Sequence, residues 1–332
     1  MTSTAPSIKR VTAADVARSL GISRATVGFV LNDTPGQTIS ETTRARVLAE
    51  AKRLGYRANT AARALASGRS RIILLVLPDW PLDYAMRTHL DEASLALDEA
   101  GYAFVTMTPH PGGQAQPLWE TLRPDVVMGM TPFTVDQLES IRDSGVEHII
   151  PPQPAEAFSD EEQLGFAEGP RLQVEHLLSR GRFRLAFARS ADPRVSDLVT
   201  QRKARADAAL RDASAGVFIA DHSVTEETAG DRINEWVASG VDGVVAYNDD
   251  IAAMVVGAAL RAGIRVPEDL AVVGHDDTPL ARLFVPALSS VRIDTAGLGR
   301  YLAALALTAA TGATAPPAGP ETDAYLVVRE TT

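Results

Sequence analysis

Apolar side chains recur at helical spacing in two short segments near the N-terminus. Val16 and Leu20 share one face of the first segment, and Val27 and Val30 share one face of the second. Gly21 supplies a turn between them. The pattern predicts two amphipathic helices joined by a tight turn. This arrangement is typical both of ordinary αα-hairpins and of helix-turn-helix units, whose second helix enters the DNA major groove.

Capping residues mark where these helices begin and where a third one lies. Thr12 and Asp15 form a capping-box pattern ahead of the first helix, and Ser23 stands ahead of the second. Ser40 is placed to begin a third helix, which Gly55 ends. Three helices of this size predict a small head of about 55 residues. The residues of the third helix that we expect to face inward are Val47, Leu48 and Ala51.

Beyond Arg71 the pattern changes to apolar strands that alternate with amphipathic helices. Strands such as 72–77 (IILLVL) and 243–247 (GVVAY) precede helical patterns over 84–100 and 250–262. Such alternation predicts an α/β fold of doubly wound parallel sheets covered by helices on both faces. About ten such units exceed one typical sheet. We therefore expect a two-lobed body with a break near residues 151–168.

The distribution of charge strengthens the DNA-binding interpretation of the head. Residues 1–71 contain twelve Lys and Arg against four Asp and Glu, a net charge of +8. The rest of the chain contains 20 basic and 38 acidic residues, a net charge of −18. A basic segment on an acidic chain indicates a nucleic-acid partner for that segment, whereas the acidic body repels phosphate.

Composition and motifs exclude several classes of protein. The chain has no cysteine, no N-terminal signal pattern and no apolar run long enough for a membrane span, which predicts a soluble cytoplasmic protein without disulfides. No G-x-S-x-G, H-E-x-x-H or P-loop motif occurs, so we expect no catalysis, no cofactor and no metal. Asp249-Asp250 and Asp276-Asp277 leave a metal-dependent hydrolase as a remote alternative.

Several motifs in register resemble one known family. They are VTAADVARSLGISRATVGFVLN, ISETTRARV, LGYRANTAARALASGRS and GHDDTPLARLFVPALSSVRID. Their order and spacing resemble the lactose-repressor/galactose-repressor (LacI/GalR) family of bacterial transcription regulators. The resemblance implies a helix-turn-helix DNA-binding domain over residues 1–58, a hinge helix over 59–69 and a periplasmic-binding-protein-like body over 70–332. It implies a first lobe of about 70–163 and 294–320 and a second lobe of about 164–293 and 321–332.

The resemblance also assigns residues to DNA. By resemblance, the residues expected to face DNA are Thr12, Ser23, Arg24, Ala25, Gly28, Phe29 and Asn32 in the head, with Asn59 and Leu65 in the hinge. Arg24 suits a guanine edge or a phosphate, and Leu65 matches a hinge leucine that wedges into the minor groove. Relatives commonly have Ser-Arg where this chain has Gly28-Phe29. Two interpretations of Phe29 stay open: packing beneath the head, or apolar contact with a thymine methyl group.

A small-molecule effector is expected in the cleft between the lobes, outside the carboxyl ends of strands. The residues assigned to it are Arg202, His222, Asn248 and Asp276 in the second lobe and Asp79, Trp80 and Tyr84 in the first. Each of them has the alternative of being a loop or cap residue without a ligand. The chain departs from the family pattern at Arg205-Ala206 and at Gly165. A sugar is the default ligand, while a purine, another metabolite or a degenerate, empty site stay open.

Taken together, these features predict a transcriptional regulator, by default a repressor, at the bacterial nucleoid. The resemblance implies a homodimer, with a tetramer left open, that binds a palindromic operator in double-stranded DNA and responds to the effector. Two-fold protein symmetry predicts half-sites in inverted repeat. A small-molecule carrier protein is the remote alternative, and the basic head argues against it.

Overall fold

The computed structural model describes residues 11–32, 36–56, 69–110, 112–157, 168–313 and 324–332. Internal contacts divide the chain into two compact units, Met1–Arg71 and Ile72–Thr332. We call them the head and the body. Most of the predicted hinge, including Asn59 and Leu65, lies outside the described residues.

Three short helices form the described head. They are α1 (Ala13–Leu20), α2 (Arg24–Leu31) and α3 (Glu41–Arg53). Both bonds of the capping box between Thr12 and Asp15 are present, and the hydroxyls of Ser23 and Ser40 accept bonds from backbone N–H groups of the next turn. Gly21 adopts the left-handed conformation (φ +66°) that the turn requires.

The core of the head is small. Its fully buried residues are Val16, Ala17, Val27, Val30, Val47 and Ala51. The prediction for Leu48 is wrong, because its side chain is 50% exposed. Leu48 follows Val47 directly, and successive residues of a helix point about 100° apart, so a core this narrow takes only one of the two.

The first lobe of the body is built on a four-stranded parallel sheet in the order β2-β1-β3-β4. Its strands are β1 (Ile72–Val76), β2 (Ala103–Met107), β3 (Val126–Gly129) and β4 (His148–Ile150). Its helices are α4 (Tyr84–Glu99), α5 (Leu118–Leu122) and α6 (Val135–Asp143). The fully buried central strand β1 explains why its sequence is a continuous apolar run.

The second lobe has a six-stranded sheet in the order β10-β9-β8-β7-β5-β6. Its strands are β5 (Arg184–Ser190), β6 (Val217–Val224), β7 (Gly243–Ala246), β8 (Ala271–His275), β9 (Ser289–Arg292) and β10 (Tyr325–Val327). The sheet is parallel, as expected, except at β10, which pairs antiparallel with β9. An antiparallel edge strand is common on an otherwise parallel sheet, because an edge strand has only one neighbour to satisfy.

Helices cover this second sheet and return the chain to the first lobe. They are α7 (Glu168–Ser179), α8 (Ser196–Ala213), α9 (Ala229–Ala238), α10 (Asp249–Arg261), α11 (Pro279–Leu283) and α12 (Thr295–Thr311). Helix α12 packs against α4, and its buried residues Leu302, Ala303 and Ala306 join the first-lobe core beside Ile73. The first lobe is therefore completed by a helix that follows the second-lobe strand β9 in sequence.

Candidate functional site

The outer face of α2 is the first candidate surface. At about 100° per residue, the residues opposite the buried Val27 and Val30 form one stripe, here called the outer stripe. Its members are Ala25, Gly28, Phe29 and Asn32, with Arg24 at its edge. Arg24, Ala25 and Asn32 are exposed, whereas Gly28 and Phe29 are half-buried.

Two residues of the outer stripe stand apart from the packing of the head. Phe29 is not among the described residues that pack against the head core. A Cβ atom built at Gly28 would meet nothing within 4 Å. Packing inside the head therefore requires neither the ring of Phe29 nor the absence of a side chain at Gly28. The packing of the described head residues therefore explains neither member of this pair.

The hydroxyl groups assigned to DNA already have partners. The Thr12 hydroxyl donates to the Asp15 carboxylate at 2.7 Å, and Ser23 accepts the backbone N–H of Thr26 at 3.0 Å. The bonds from Thr12 hold the pKa of Asp15 well below its ordinary value. Both residues sit at exposed helix N-termini, where backbone N–H groups also favour phosphate oxygens.

The second candidate site is a cavity of about 580 Å³ in the body, here called the cleft cavity. It lies where strands of both sheets end. Trp80 follows β1 and Met130 follows β3, while Ser190 ends β5, Asn248 follows β7 and Asp276 follows β8. Cavities outside the carboxyl ends of parallel strands are typical ligand sites of open α/β sheets.

Four of the seven residues assigned to the effector line the cleft cavity. They are Trp80, Arg202, Asn248 and Asp276. Asp79, Tyr84 and His222 are absent from its described lining. Tyr84 is 51% exposed on the first turn of α4, and the Asp79 carboxylate lies 3.9 Å from the ring of His110.

His222 has a structural partner instead of a place in the cavity. Its ring is nearly parallel to that of Trp236, with the planes 3° apart and the ring centres 6.3 Å apart. The Trp236 indole N–H donates to His222 Nδ1 at 3.1 Å. His222 lies on β6, the outermost strand of the second sheet, and this position separates it from the carboxyl ends of β7 and β8 that border the cavity.

Asp276 and Arg202 form the charged centre of the second-lobe wall. Arg202 donates to the Asp276 carboxylate at 3.3 Å, and its guanidinium lies 4.6 Å from the centre of the Tyr247 ring. His275 Nδ1 lies 2.6 Å from the same carboxylate oxygen. Burial opposes ionisation of Asp276, but Arg202 and His275 outweigh it, so the pKa of Asp276 is well below its ordinary value. The pair is therefore a fixed, ionised feature of the wall.

Asn248 combines a structural role with a place in the lining. Its side-chain oxygen accepts the backbone N–H of Ile251 at 3.0 Å and so caps α10. Because the oxygen is used by the cap, the side-chain NH₂ group is the part that remains for a ligand.

Asp83, His89 and Asp250 are among the polar residues of the cavity that were not assigned to the effector from the sequence. Asp83 caps α4 by accepting the backbone N–H of Met86 at 2.8 Å. His89 lies on the same helix face as Met86. The signal available in the sequence was the three-residue spacing of Asp83, Met86 and His89 at the start of a predicted helix.

The paired aspartates do not form a metal site. Asp249 is fully buried, and its carboxyl group accepts bonds from the Ser290 hydroxyl and the Thr278 backbone N–H. Asp277 pairs with Arg292 and, at 2.6 Å, with Arg329. Across the ranges that the structure describes, no group of three or more His, Cys, Asp or Glu residues is arranged to hold a metal ion. These two carboxyl groups are bonded to other residues of the second lobe.

No described helix combines the length and the apolar character needed to cross a membrane.

Comparison with known families identifies both units. Residues 12–59 match the family described as "Bacterial regulatory proteins, lacI family", and residues 174–332 match "Periplasmic binding protein-like domain". These two matches correspond to parts of the head and of the body, respectively.

Relatives match over nearly the whole chain. The transcriptional regulator CelR of Thermobifida fusca is 29% identical, covering 97% of this chain and 98% of its own. The ribose operon repressor of Bacillus subtilis is also 29% identical, covering 88% and 90%. Among solved structures, the Lac repressor dimer bound to operator and the anti-inducer ONPF superposes with a TM-score of 0.77 at 22% identity, covering 97% and 99%. A CelR–cellobiose complex superposes with a TM-score of 0.63 at 26% identity, covering 97% and 100%.

Proposed function

Because this chain belongs to the LacI family of bacterial transcriptional regulators, we propose that it binds a palindromic operator as a homodimer and represses transcription. It is a DNA-binding regulator and not an enzyme. It acts in the cytoplasm, at the nucleoid, where such a regulator meets the chromosome. The observation that carries the operator proposal is the outer stripe of α2, which lies on a head with a net charge of +8 over residues 1–71.

We assign distinct tasks on DNA to the residues of the outer stripe. Arg24 contacts a guanine edge or a phosphate, and Asn32 contacts the backbone. Phe29 contacts a thymine methyl group, since the ring is not used by the head core. Ala25 and Gly28 are small, which lets the helix backbone approach the base pairs closely. Thr12 and Ser23 bind phosphates at the helix N-termini.

The hinge completes the proposed DNA contact. Asn59 and Leu65 lie outside the described residues, so their tasks stay predictions: Asn59 begins a hinge helix, and Leu65 wedges into the minor groove and kinks the duplex. A wedge is used only at a site that bends, so Leu65→Ala should weaken specific binding far more than non-specific binding.

Apolar side chains exposed on the body support self-association. Leu95 on α4 is exposed in the first lobe, and Leu283 and Val285 are 73% and 83% exposed in the second. Large apolar side chains exposed to this degree favour burial against another protein surface. A homodimer through these faces explains them and gives the two-fold symmetry that a palindromic operator requires.

The body responds to a small molecule held in the cleft cavity. Four residues that lie on different elements, Trp80, Arg202, Asn248 and Asp276, converge there. The cellobiose complex of CelR supports a sugar-like ligand as the default for this chain. A ligand that binds two arrangements of the lobes with different affinity would change the affinity for the operator. A degenerate cavity that binds nothing is the second candidate, which flat calorimetric titrations would favour.

The operator proposal is tested by selecting sites from a random double-stranded library with the full-length protein. We expect an enriched inverted repeat, and the absence of enrichment at moderate salt would overturn the proposal. In the selected duplex, each thymine is then replaced by uracil, which removes only the methyl group. We expect one symmetric pair of positions to lose affinity about fourfold per half-site, and this loss should vanish in Phe29→Ala. A methyl effect that persists in Phe29→Ala assigns the contact to another residue.

A further inference from the structure

We propose that the ligand of the cleft cavity carries a protonated amino group, which is held between Asp83 of the first lobe and Asp250 of the second. The inference rests on the proposed function only in taking the cleft cavity as the effector site. It differs from the neutral sugar expected by default, because it requires a positive charge on the ligand.

The first argument is the pairing of the carboxylates in the cavity wall. Asp276 is neutralised by Arg202 at 3.3 Å, and Asp192 is neutralised by Arg194 at 2.6 Å. The only described hydrogen bond to the Asp83 carboxylate comes from the backbone N–H of Met86, and no ion pair or hydrogen bond between described side chains involves Asp250. Asp83 and Asp250 therefore face the cavity without an ion-pair partner among the described residues, although Arg205 and Arg211 line the same cavity.

The second argument is that these carboxylates disfavour each other. Burial raises the pKa of Asp83, and the negative charges of Asp276 and Asp250 raise it further, against the attraction of Arg202. Burial and the charge of Asp276 likewise raise the pKa of Asp250. A neutral ligand would shield both groups from water without compensating their charge, which is costly. An ammonium group would compensate both.

The third argument is independent of charge. His89 lines the cavity and is only 8% exposed, and its Nε2 atom has no hydrogen-bond partner in the structure. Burial lowers the pKa of His89, so the ring is neutral and each nitrogen is a single donor or acceptor. Because buried polar atoms are almost always bonded, this nitrogen calls for a polar group from a ligand. Asp83, Met86 and His89 lie on one face of α4, so the Asp83 carboxylate and the unbonded His89 nitrogen both face the ligand.

The apolar part of the cavity wall indicates the chemistry of the rest of the ligand. Apolar residues of both lobes line the cavity, among them Trp80, Met86, Met130, Met254 and Leu298. Such a wall suits the carbon skeleton or flat face of a small molecule. A metal ion does not fit the described cavity residues, since no three metal-ligating side chains converge. The class of ligand is therefore an organic amine with an apolar face.

The placement of the two carboxylates also gives a means of regulation. Asp83 belongs to the first lobe and Asp250 to the second. Without a cation they repel each other across the cavity, and with one they are both attracted to it. An amine would therefore bind a closed arrangement of the lobes more tightly than an open one, as allosteric control requires.

The test compares matched compounds on the full-length protein. The probes are primary amines and their hydroxyl counterparts: D-glucosamine and D-glucose, D-galactosamine and D-galactose, and 2-phenylethylamine and 2-phenylethanol. We expect at least one amine to raise the midpoint of thermal unfolding while its counterpart at equal concentration does not. The proposal is overturned if no amine binds or if the hydroxyl compounds bind equally well. Either failure leaves the DNA selection unaffected, so the two proposals are judged separately.

Variants locate the amine. Asp83→Asn keeps a residue that caps a helix well and removes only the charge, as does Asp250→Asn. Each should weaken binding of the amine about tenfold or more, while Asp98→Asn at an exposed position of α4 should not. In the absence of any ligand, Asp83→Asn should raise the unfolding midpoint, because it relieves repulsion. A lower midpoint would show that the carboxylate is structural and would contradict the proposal.

Discussion

The head and the body differ in the size of their cores, in their net charge and in the part of the unit that binds a ligand. Among the described residues of the head, the core buries no side chain larger than valine, whereas the second lobe alone buries Trp236 and Phe187 fully. The head carries a net charge of +8 over residues 1–71, and the rest of the chain carries −18. In the proposed complex the head uses its surface, where the outer stripe of one short helix contacts DNA. The body uses its interior, where strand ends enclose a cavity.

The small core lowers the free energy of unfolding of the head. Burying few and small apolar side chains gives little free energy, so a unit of this size is only marginally stable. The body buries extended strands and aromatic rings and can tolerate uncompensated carboxylates such as Asp83 and Asp249. Perturbations of the two units should therefore separate cleanly, and the following predictions are arranged from the largest effect to the smallest.

The largest effect is expected from a charge in the head core. Val27 is fully buried, so Val27→Asp should unfold the head and lower affinity for the selected duplex at least about a hundredfold. The body should keep its unfolding midpoint. The matched control is Leu48→Asp, which adds the same charge at a position that is 50% exposed. Equal losses in the two variants would mean that charge, and not folding of the head, explains the effect.

A smaller effect is expected from pH in the body. Burial raises the pKa of Asp249 to about 7, whereas its ordinary value is 3.8. Between these values the folded protein holds a proton that the unfolded chain releases. Stability from this group is therefore present at low pH and is lost as pH rises from about 4 to 7, by roughly 4 kcal/mol at most.

The comparison of wild type with Asp249→Asn isolates this effect. Buried His89 and His275 have lowered pKa values and change stability in the opposite sense, losing it as pH falls below their ordinary range. Because both proteins share these histidines, the difference in unfolding free energy should grow in favour of Asp249→Asn from pH 4.5 to 7.5. Parallel curves would show that Asp249 is ionised throughout that range.

The smallest effect is expected at Gly28. Nothing lies within 4 Å of a Cβ atom built there, so Gly28→Ala should stabilise the head by up to about 1 kcal/mol through helix propensity. The same methyl group should lower affinity for DNA a few-fold by holding the backbone of α2 away from the bases. Gly230→Ala, an equally open position in α9 of the body, should leave DNA affinity unchanged. A tighter complex with Gly28→Ala would contradict close approach at this position.

The sequence predicted most of the elements because their signals are local. Thr12, Ser23 and Gly21 mark helix ends through bonds and backbone angles that involve neighbouring residues only. The helix Thr295–Thr311 and the full length of β6, which runs from Val217 to Val224, do not follow from periodicity. In both cases the element is defined by a partner that is distant in sequence, α4 for the helix and β5 for the strand.

The cavity was harder to predict than the fold. Arg202, Asn248 and Asp276 follow or border strand ends, so the rule for open sheets located them. Asp83 and His89 lie on a helix of the first lobe, and only packing shows that this face borders the cavity. His222 was assigned by resemblance alone, and the hydrogen bond that its ring accepts from Trp236 depends on a helix that follows it in the chain.

The most direct test of the account is the ratio of two affinities. The full-length protein is titrated at about 150 mM salt against the selected inverted repeat and against a scrambled duplex of equal length and composition. The account predicts that the selected site binds at least about a thousandfold more tightly. A ratio near one would contradict the claim that the basic head reads a specific site.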